Sequence, residues 1–265
     1  MFTFMVTIRR NMTTAHVQAI LSGDGSAGPG RRERNKLEKR QRIREATREL
    51  FSAQGFEATT VRQIAERAKV GLGTLFNYAR DKRDLTFLLF NDDLSRLADD
   101  AIAGSARKTG LFEQVMAVWE PHYRYFARDP LLCRILLRDM YFYEEGPEAR
   151  RFHATEARLR RHLLMLVATA QRARRVRRSA SAGDVALLLF SVFEGSVRYW
   201  MHQATPVAEE GLAVLRRLVR MQLRSFLADD GLVGTDGDTL ARNRRAGSPR
   251  AKRSDMGAAA LGKKQ

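Results

Sequence analysis

The side chains that are spaced to do chemistry in this chain are spaced to grip a polyanion, not to break bonds. Thr60 and Gln63 stand three apart, as in a capping box, where a hydroxyl and an amide close the open N–H groups of a helix start. Leu72, Gly73 and Thr74 then open a second short helix. Gly73 lets backbone come close to a ligand, while Thr74 can give a hydroxyl to phosphate and a methyl to thymine. Lys82 puts a cation into the first turn of a further helix, against the helix dipole. A phosphate docked on that helix start would be held by the amides and the ammonium together. Bond-breaking chemistry has no such support. The chain lacks a Walker loop, a dinucleotide fingerprint, a nucleophile elbow and any metal-ligand spacing, so no catalytic residue, cofactor or metal is expected. Cys133 has no second thiol to pair with, and Arg134 is its only basic neighbour, which leaves little for a redox sensor.

These residues need elements to position them. From Arg31, apolar residues Ile43, Ala46, Leu50 and Phe51 recur on one face of a long basic helix, with Glu38 and Arg42 spaced to pair and Gly55 as a left-handed cap. A short helix buries Val61, Ile64, Ala65 and Ala68; a tight turn at 69–71 leads to a third helix over 72–78. Two short helices joined by so tight a turn form a helix-turn-helix, the second helix being able to enter the major groove. Asp81 caps a fourth helix running to about Ala103, and five more are expected near 109–128, 131–144, 148–175, 183–203 and 206–227. The fold class is all-α.

Within this frame, Arg42-Ile43, Ala46, Leu50-Phe51, Gly55-Phe56, Thr59-Thr60, Ile64-Ala65, Ala68, Val70, Gly73-Thr74-Leu75-Phe76, Tyr78, Lys82 and Leu85 closely resemble the N-terminal signature of the TetR family. The match spans about 45 residues without a gap; the rest of the chain fits the family in length and helicity only. The resemblance implies a DNA-contacting set of Thr60, Arg62, Leu72, Gly73, Thr74, Phe76, Asn77, Tyr78 and Lys82. Arg62 stands where the family reaches a base or phosphate, the plainer reading being a surface arginine. Asn77 is a base reader or merely solvated. Tyr78 resembles the family's phosphate-contacting aromatic, or else it packs against a neighbour. There are departures too. Lys69 replaces the usual turn glycine, so it must take a left-handed conformation at a cost of roughly 1 kcal/mol. Gly71 weakens a cap, Phe76 lacks the hydroxyl of the usual tyrosine, and Ala79 replaces a core phenylalanine.

Charge is unevenly placed. Of a net +17, residues 31–48 carry +6 and residues 240–265 carry +7, whereas residues 49–239 carry only +3. The basic segment beside the first helix is expected to add phosphate or minor-groove contacts from residues 31–44. The organisation expected is a flexible extension over 1–30, a helix-turn-helix domain over 31–80, a helical sensing and dimerisation domain over 81–228, and a disordered basic tail over 229–265. No apolar run reaches the ~18 residues of a membrane span, and one cysteine fits a reducing compartment, so a cytoplasmic location is expected.

For the larger domain, Trp119, His122, Tyr123, Phe126 and Tyr141 are candidate contacts for a small, largely hydrophobic effector, though aromatic residues at helical spacing are more often plain core. His122 on a mostly apolar face reads more readily as a satisfied core histidine. Val185, Leu188, Leu189, Val192, Phe193, Ser196 and Trp200 on one helix, with Leu215, Leu218, Val219, Gln222 and Phe226 on the next, form stripes suited to a homodimer's four-helix bundle, the alternative being an intramolecular core. The partners expected are double-stranded DNA with a palindromic operator, a second copy of the chain and an unidentified effector. Taken with the family resemblance, the reading is a ligand-released repressor, with a nonspecific architectural DNA binder or an activator as alternatives.

Overall fold

The computed structural model describes residues 30–227. Among them every long element is a helix: α1 (Arg31–Ala58), α2 (Val61–Arg67), α3 (Leu72–Phe76), α4 (Lys82–Ser105), α5 (Leu111–Phe126), α6 (Pro130–Asp139), α7 (Pro147–Arg172), α8 (Ala182–Met201) and α9 (Ala208–Arg224). The expectations for the N-terminal extension and the basic tail fall outside the described residues, apart from Gly30.

Local chemistry sets the helix starts. Thr60 caps α2 with the reciprocal Gln63 bond, Gln63 N to Thr60 Oγ1 at 3.2 Å and Thr60 N to Gln63 Oε1 at 2.8 Å. Asp81 accepts from Asp84 N at 2.9 Å to open α4, and Asp129 and Ser181 do the same for α6 and α8. Pro130 and Pro147 take the first helical positions, where the missing N–H costs nothing.

Four local expectations need correcting. Gly55 has φ 81° and ψ 168°, a glycine-favouring kink but not a left-handed helical cap. The chain makes one more turn after it, because Phe56 returns to the core and packs 5.2 Å from Phe51. Helix α3 closes at Phe76, two residues short of the expected end, and α6 stops at Asp139, after which the chain turns and leaves Phe142 in solvent. Glu38 and Arg42 form no ion pair among the described residues; three positions further on, Gln41 Nε2 donates to Glu45 Oε1 at 2.8 Å.

Helices α1 to α3 pack around Ile43, Ala46, Phe51, Ile64, Leu75 and Ala79. The turn before α3 behaves as its sequence requires. Lys69 takes φ 53°, while Lys69 N reaches Glu66 O at 3.1 Å and Val70 N reaches Ala65 O at 3.0 Å. Those two bonds satisfy the last carbonyls of α2 in the Schellman pattern, which offsets the backbone strain. Helix α4 runs through the centre of the larger bundle, with Asp84 to Asn91 all buried, and packs on α5 and α7.

The two parts are joined by a buried polar junction that the sequence signals only thinly. Asp84 accepts from Arg80 N at 2.9 Å, Glu148 N at 3.1 Å and Ala149 N at 2.9 Å, so one carboxylate caps α7 and holds the exit of α3. Asn91 Nδ2 donates to Glu148 O and Oε2, and Arg40 of α1 pairs with Glu148 and reaches Asp92 at 3.4 Å. Burial raises the Asp84 carboxyl despite its three amide donors. Gly146 leaves the room for that carboxylate: a Cβ there would collide with it.

Candidate functional site

The outer side of α3 is built from an inward anchor and an outward pair. Leu75 is fully buried, which turns Leu72 and Phe76, one helical turn apart, to the surface at 38% and 49% exposure. Gly73 and Asn77 are exposed beside them and Thr74 is half-buried. A hydrocarbon pair left in water on a five-residue helix has no packing reason among the described residues, and it suits contact with thymine methyls on a groove floor. Arg62 is exposed on α2, without a hydrogen bond or ion pair among the described residues.

Three of the expected contacts already have work inside the protein. Thr60 Oγ1 is the α2 cap. Tyr78 is half-buried and donates to Lys36 O at 3.3 Å, tying the end of the recognition unit to α1. Lys82 Nζ donates to Phe56 O at 2.7 Å and Glu57 O at 3.2 Å, and lies 4.3 Å over the Phe56 ring. The cation that opposes its own helix dipole is thus stabilised by the carbonyl end of α1. An ammonium has three donors, so one remains for a phosphate.

The basic segment divides in two. Arg31, Arg32, Arg34, Lys36, Lys39 and Arg42 are exposed. Arg40 and Arg44 turn inward to Glu148, Asp92 and Asp93, and Arg48 to Asp129. These three brace α1 on the larger bundle, which takes Arg40 and Arg44 out of the expected phosphate arm. The sequence signal for the junction was present but thin: Asp84 and Asn91 interrupt an otherwise apolar α4 face at i and i+7.

In the larger bundle Trp119, His122, Tyr123 and Phe126 lie together on α5, all buried. Trp119 stacks on Phe193 at 4.0 Å, and Tyr123 stacks on Trp200 at 4.7 Å and hydrogen-bonds Ser196 at 2.8 Å. Burial holds His122 down to about 4, so its ring is neutral near pH 7, with Nδ1 on Val118 O at 2.9 Å. Trp119 Nε1 is buried without a hydrogen-bond partner among the described residues. Tyr141 is not in this group; it lies under the Arg198 guanidinium at 3.6 Å. Burial, and then Asp129, push the Cys133 thiol up to about 12, which keeps it protonated and unreactive.

Most of the expected dimer stripes is core. Val185, Leu189, Phe193, Trp200, Leu215 and Val219 are buried within one chain, and Phe226 is half-buried beside them. Leu188 of the expected stripe is exposed, beside Leu187 and Tyr199 on the outward side of α8, the last 69% exposed, and α9 presents Met221. Most of the stripe that periodicity singled out packs inside the chain, and α8 is apolar on more than one side.

Comparison with known proteins places the module. Residues 43–87 match the profile described as bacterial regulatory proteins of the tetR family. Over 145 residues the chain is 29% identical to the HTH-type transcriptional repressor KstR of Rhodococcus jostii, covering 55% of this chain and 65% of that protein. Its fold is similar to that of Thermus thermophilus FadR, a TetR-family repressor in complex with lauroyl-CoA, at TM-score 0.55 and 21% identity over 76% of this chain and 98% of that one. The ketosteroid regulator KstR2 of Mycobacterium tuberculosis is similar at TM-score 0.52 and 16% identity, over 72% and 96% of the two chains. The helix-turn-helix of residues 43–87 is thus that of the TetR family of bacterial regulatory proteins.

Proposed function

We propose that the protein is a DNA-binding transcriptional regulator, a repressor that works as a homodimer and leaves its operator when a small molecule binds. The observation that carries this reading is the outward Leu72–Phe76 pair on α3, anchored by buried Leu75 and flanked by exposed Arg62 on α2. Gly73, Thr74 and Asn77 supply the polar and close-approach positions around it, with Tyr78, Lys82 and Thr60 holding the unit in shape and offering secondary phosphate contacts.

Symmetric half-sites call for a two-fold dimer. The outward face of α8, with Leu187, Leu188 and Tyr199, and Met221 of α9 are the surfaces we assign to it. The effector site is assigned to the aromatic cluster of Trp119, His122, Tyr123 and Phe126, where the unpaired Trp119 N–H offers a hydrogen bond and a neutral His122 adds no charge. An apolar moiety, such as the acyl chain of the lauroyl-CoA bound to FadR, suits that lining. A ligand there would push on α4 through α5, and the Asp84–Glu148–Arg40 junction would pass the shift to α1. Linkage requires operator DNA to weaken effector binding by the same factor.

A second reading, a nonspecific architectural DNA binder, is favoured by the exposed cations of residues 31–39 and the net +17. A salt titration of binding to DNA flanking the gene and to unrelated duplex separates the two. The regulator keeps a specificity ratio of ~10³ or more. Arg62→Ala lowers the salt slope by about one if it grips phosphate. Equal affinity for both duplexes at every salt would leave only the architectural reading.

A further inference from the structure

A cleft of about 470 Å³ opens between α6 and the C-terminal end of α8, lined by Arg134, Leu137, Arg138, Arg198, Met201 and His202. Its size suits a small ligand. Three of the six lining residues are arginines and none is an acid, which is a poor lining for an apolar guest.

The arginines are held in place without being neutralised. Arg134 Nε donates to Met201 O at 2.9 Å, and its Nη2 donates to Gln203 O at 2.6 Å. Arg198 Nη2 donates to Leu137 O at 3.1 Å, with the guanidinium lying on the Tyr141 ring. A carbonyl orients a guanidinium but leaves its charge, and neither side chain has a salt bridge among the described residues. Arg138 differs, being shared between Asp139 at 3.2 Å and Glu57 at 2.9 Å. Glu194, one turn before Arg198 on α8, interacts with it electrostatically, and burial raises the Glu194 carboxyl.

We infer that this cleft is an anion site: it binds a small molecule through a phosphate- or carboxylate-sized oxyanion gripped between Arg134 and Arg198. Guanidinium forks match such oxyanions in pairs of hydrogen bonds, and both forks are already oriented. The apolar remainder of the ligand lies over Leu137 and Met201. The site lies beside the recognition module, because Arg138 also stands 4.5 Å over the Phe56 ring and holds Glu57, in the last turn of α1. A bound anion competes with Glu57 for Arg138. The binding step stands alone; only its consequence for DNA rests on the regulator reading above.

The test is a titration of the full-length chain, labelled at its five histidines, with inorganic pyrophosphate and separately with octanoate at constant ionic strength. The His202 ring resonance, assigned through His202→Gln, is followed by NMR. A saturable shift at His202 is expected with one of the two probes, and which probe saturates names the oxyanion class. Arg198→Gln, an exposed side chain with a single main-chain anchor, is expected to weaken binding about tenfold or more, with far-UV circular dichroism unchanged. Arg107→Gln removes an equal charge from the exposed turn after α4 and should leave binding as it was. Saturation with neither probe, or equal binding by wild type and Arg198→Gln, would reduce the effect to diffuse attraction by net positive charge and overturn the site.

Discussion

Lys69 shows how a single residue can be read from sequence down to its dihedral angle. A turn this tight between α2 and α3 demands a positive φ, lysine was what the chain offered, and φ 53° is what it adopts. Lys69→Gly should therefore raise stability by about 1 kcal/mol, visible as a higher denaturant midpoint with unchanged slope; no gain would mean the strain is relieved elsewhere. Lys82 was harder to read. Its awkward position against the dipole was legible, but the carbonyls of Phe56 and Glu57 that resolve it come from a turn 25 residues away. His122 makes a pH prediction. Its ordinary value of 6.5 applies to the unfolded chain, and burial lowers the folded value to about 4. As pH falls from 6.5 toward 4, the unfolded state takes a proton that the folded state refuses, so stability drops by up to about 1.4 kcal/mol per pH unit. His122→Phe should flatten that part of the wild-type profile. Parallel profiles for the two chains would show that the buried ring does not carry the dependence.

At the scale of elements, helix starts were legible because their causes are local. Asp81, Asp129-Pro130, Gly146-Pro147 and the Thr60–Gln63 pair mark their own helices whatever packs around them. Helix ends were less so, since α3 and α6 close where tertiary packing pulls the chain away. The choice of face on α8 was not legible at all. Its inward row of Val185, Leu189, Phe193 and Trp200 and its outward row of Leu187, Leu188 and Tyr199 are both apolar, and periodicity does not say which row meets α5 and which faces outward. The assignment is testable. Leu188→Glu puts a charge on the outward row and should yield a monomer by sedimentation with helix content intact; a retained dimer would move the interface off α8.

For the whole molecule, the sequence pointed to a DNA-binding unit and a separate helical bundle but said little about how they communicate. The joint depends on side chains distant in sequence, Arg40, Asp84, Asn91 and Glu148, whose meeting only the folded chain displays. Everything functional in this account still depends on α3 offering Leu72 and Phe76 to a duplex. The direct measurement is selection of bound duplexes from a random-sequence pool, by the wild-type chain and by the Leu72→Ala, Phe76→Ala double variant. The wild type should converge on an inverted repeat whose half-site centres lie about 34–36 Å apart or a multiple of that, and the variant should enrich nothing. If the wild type pulls down DNA without converging on any sequence, or the variant recovers the same repeat, the recognition role of α3 is contradicted.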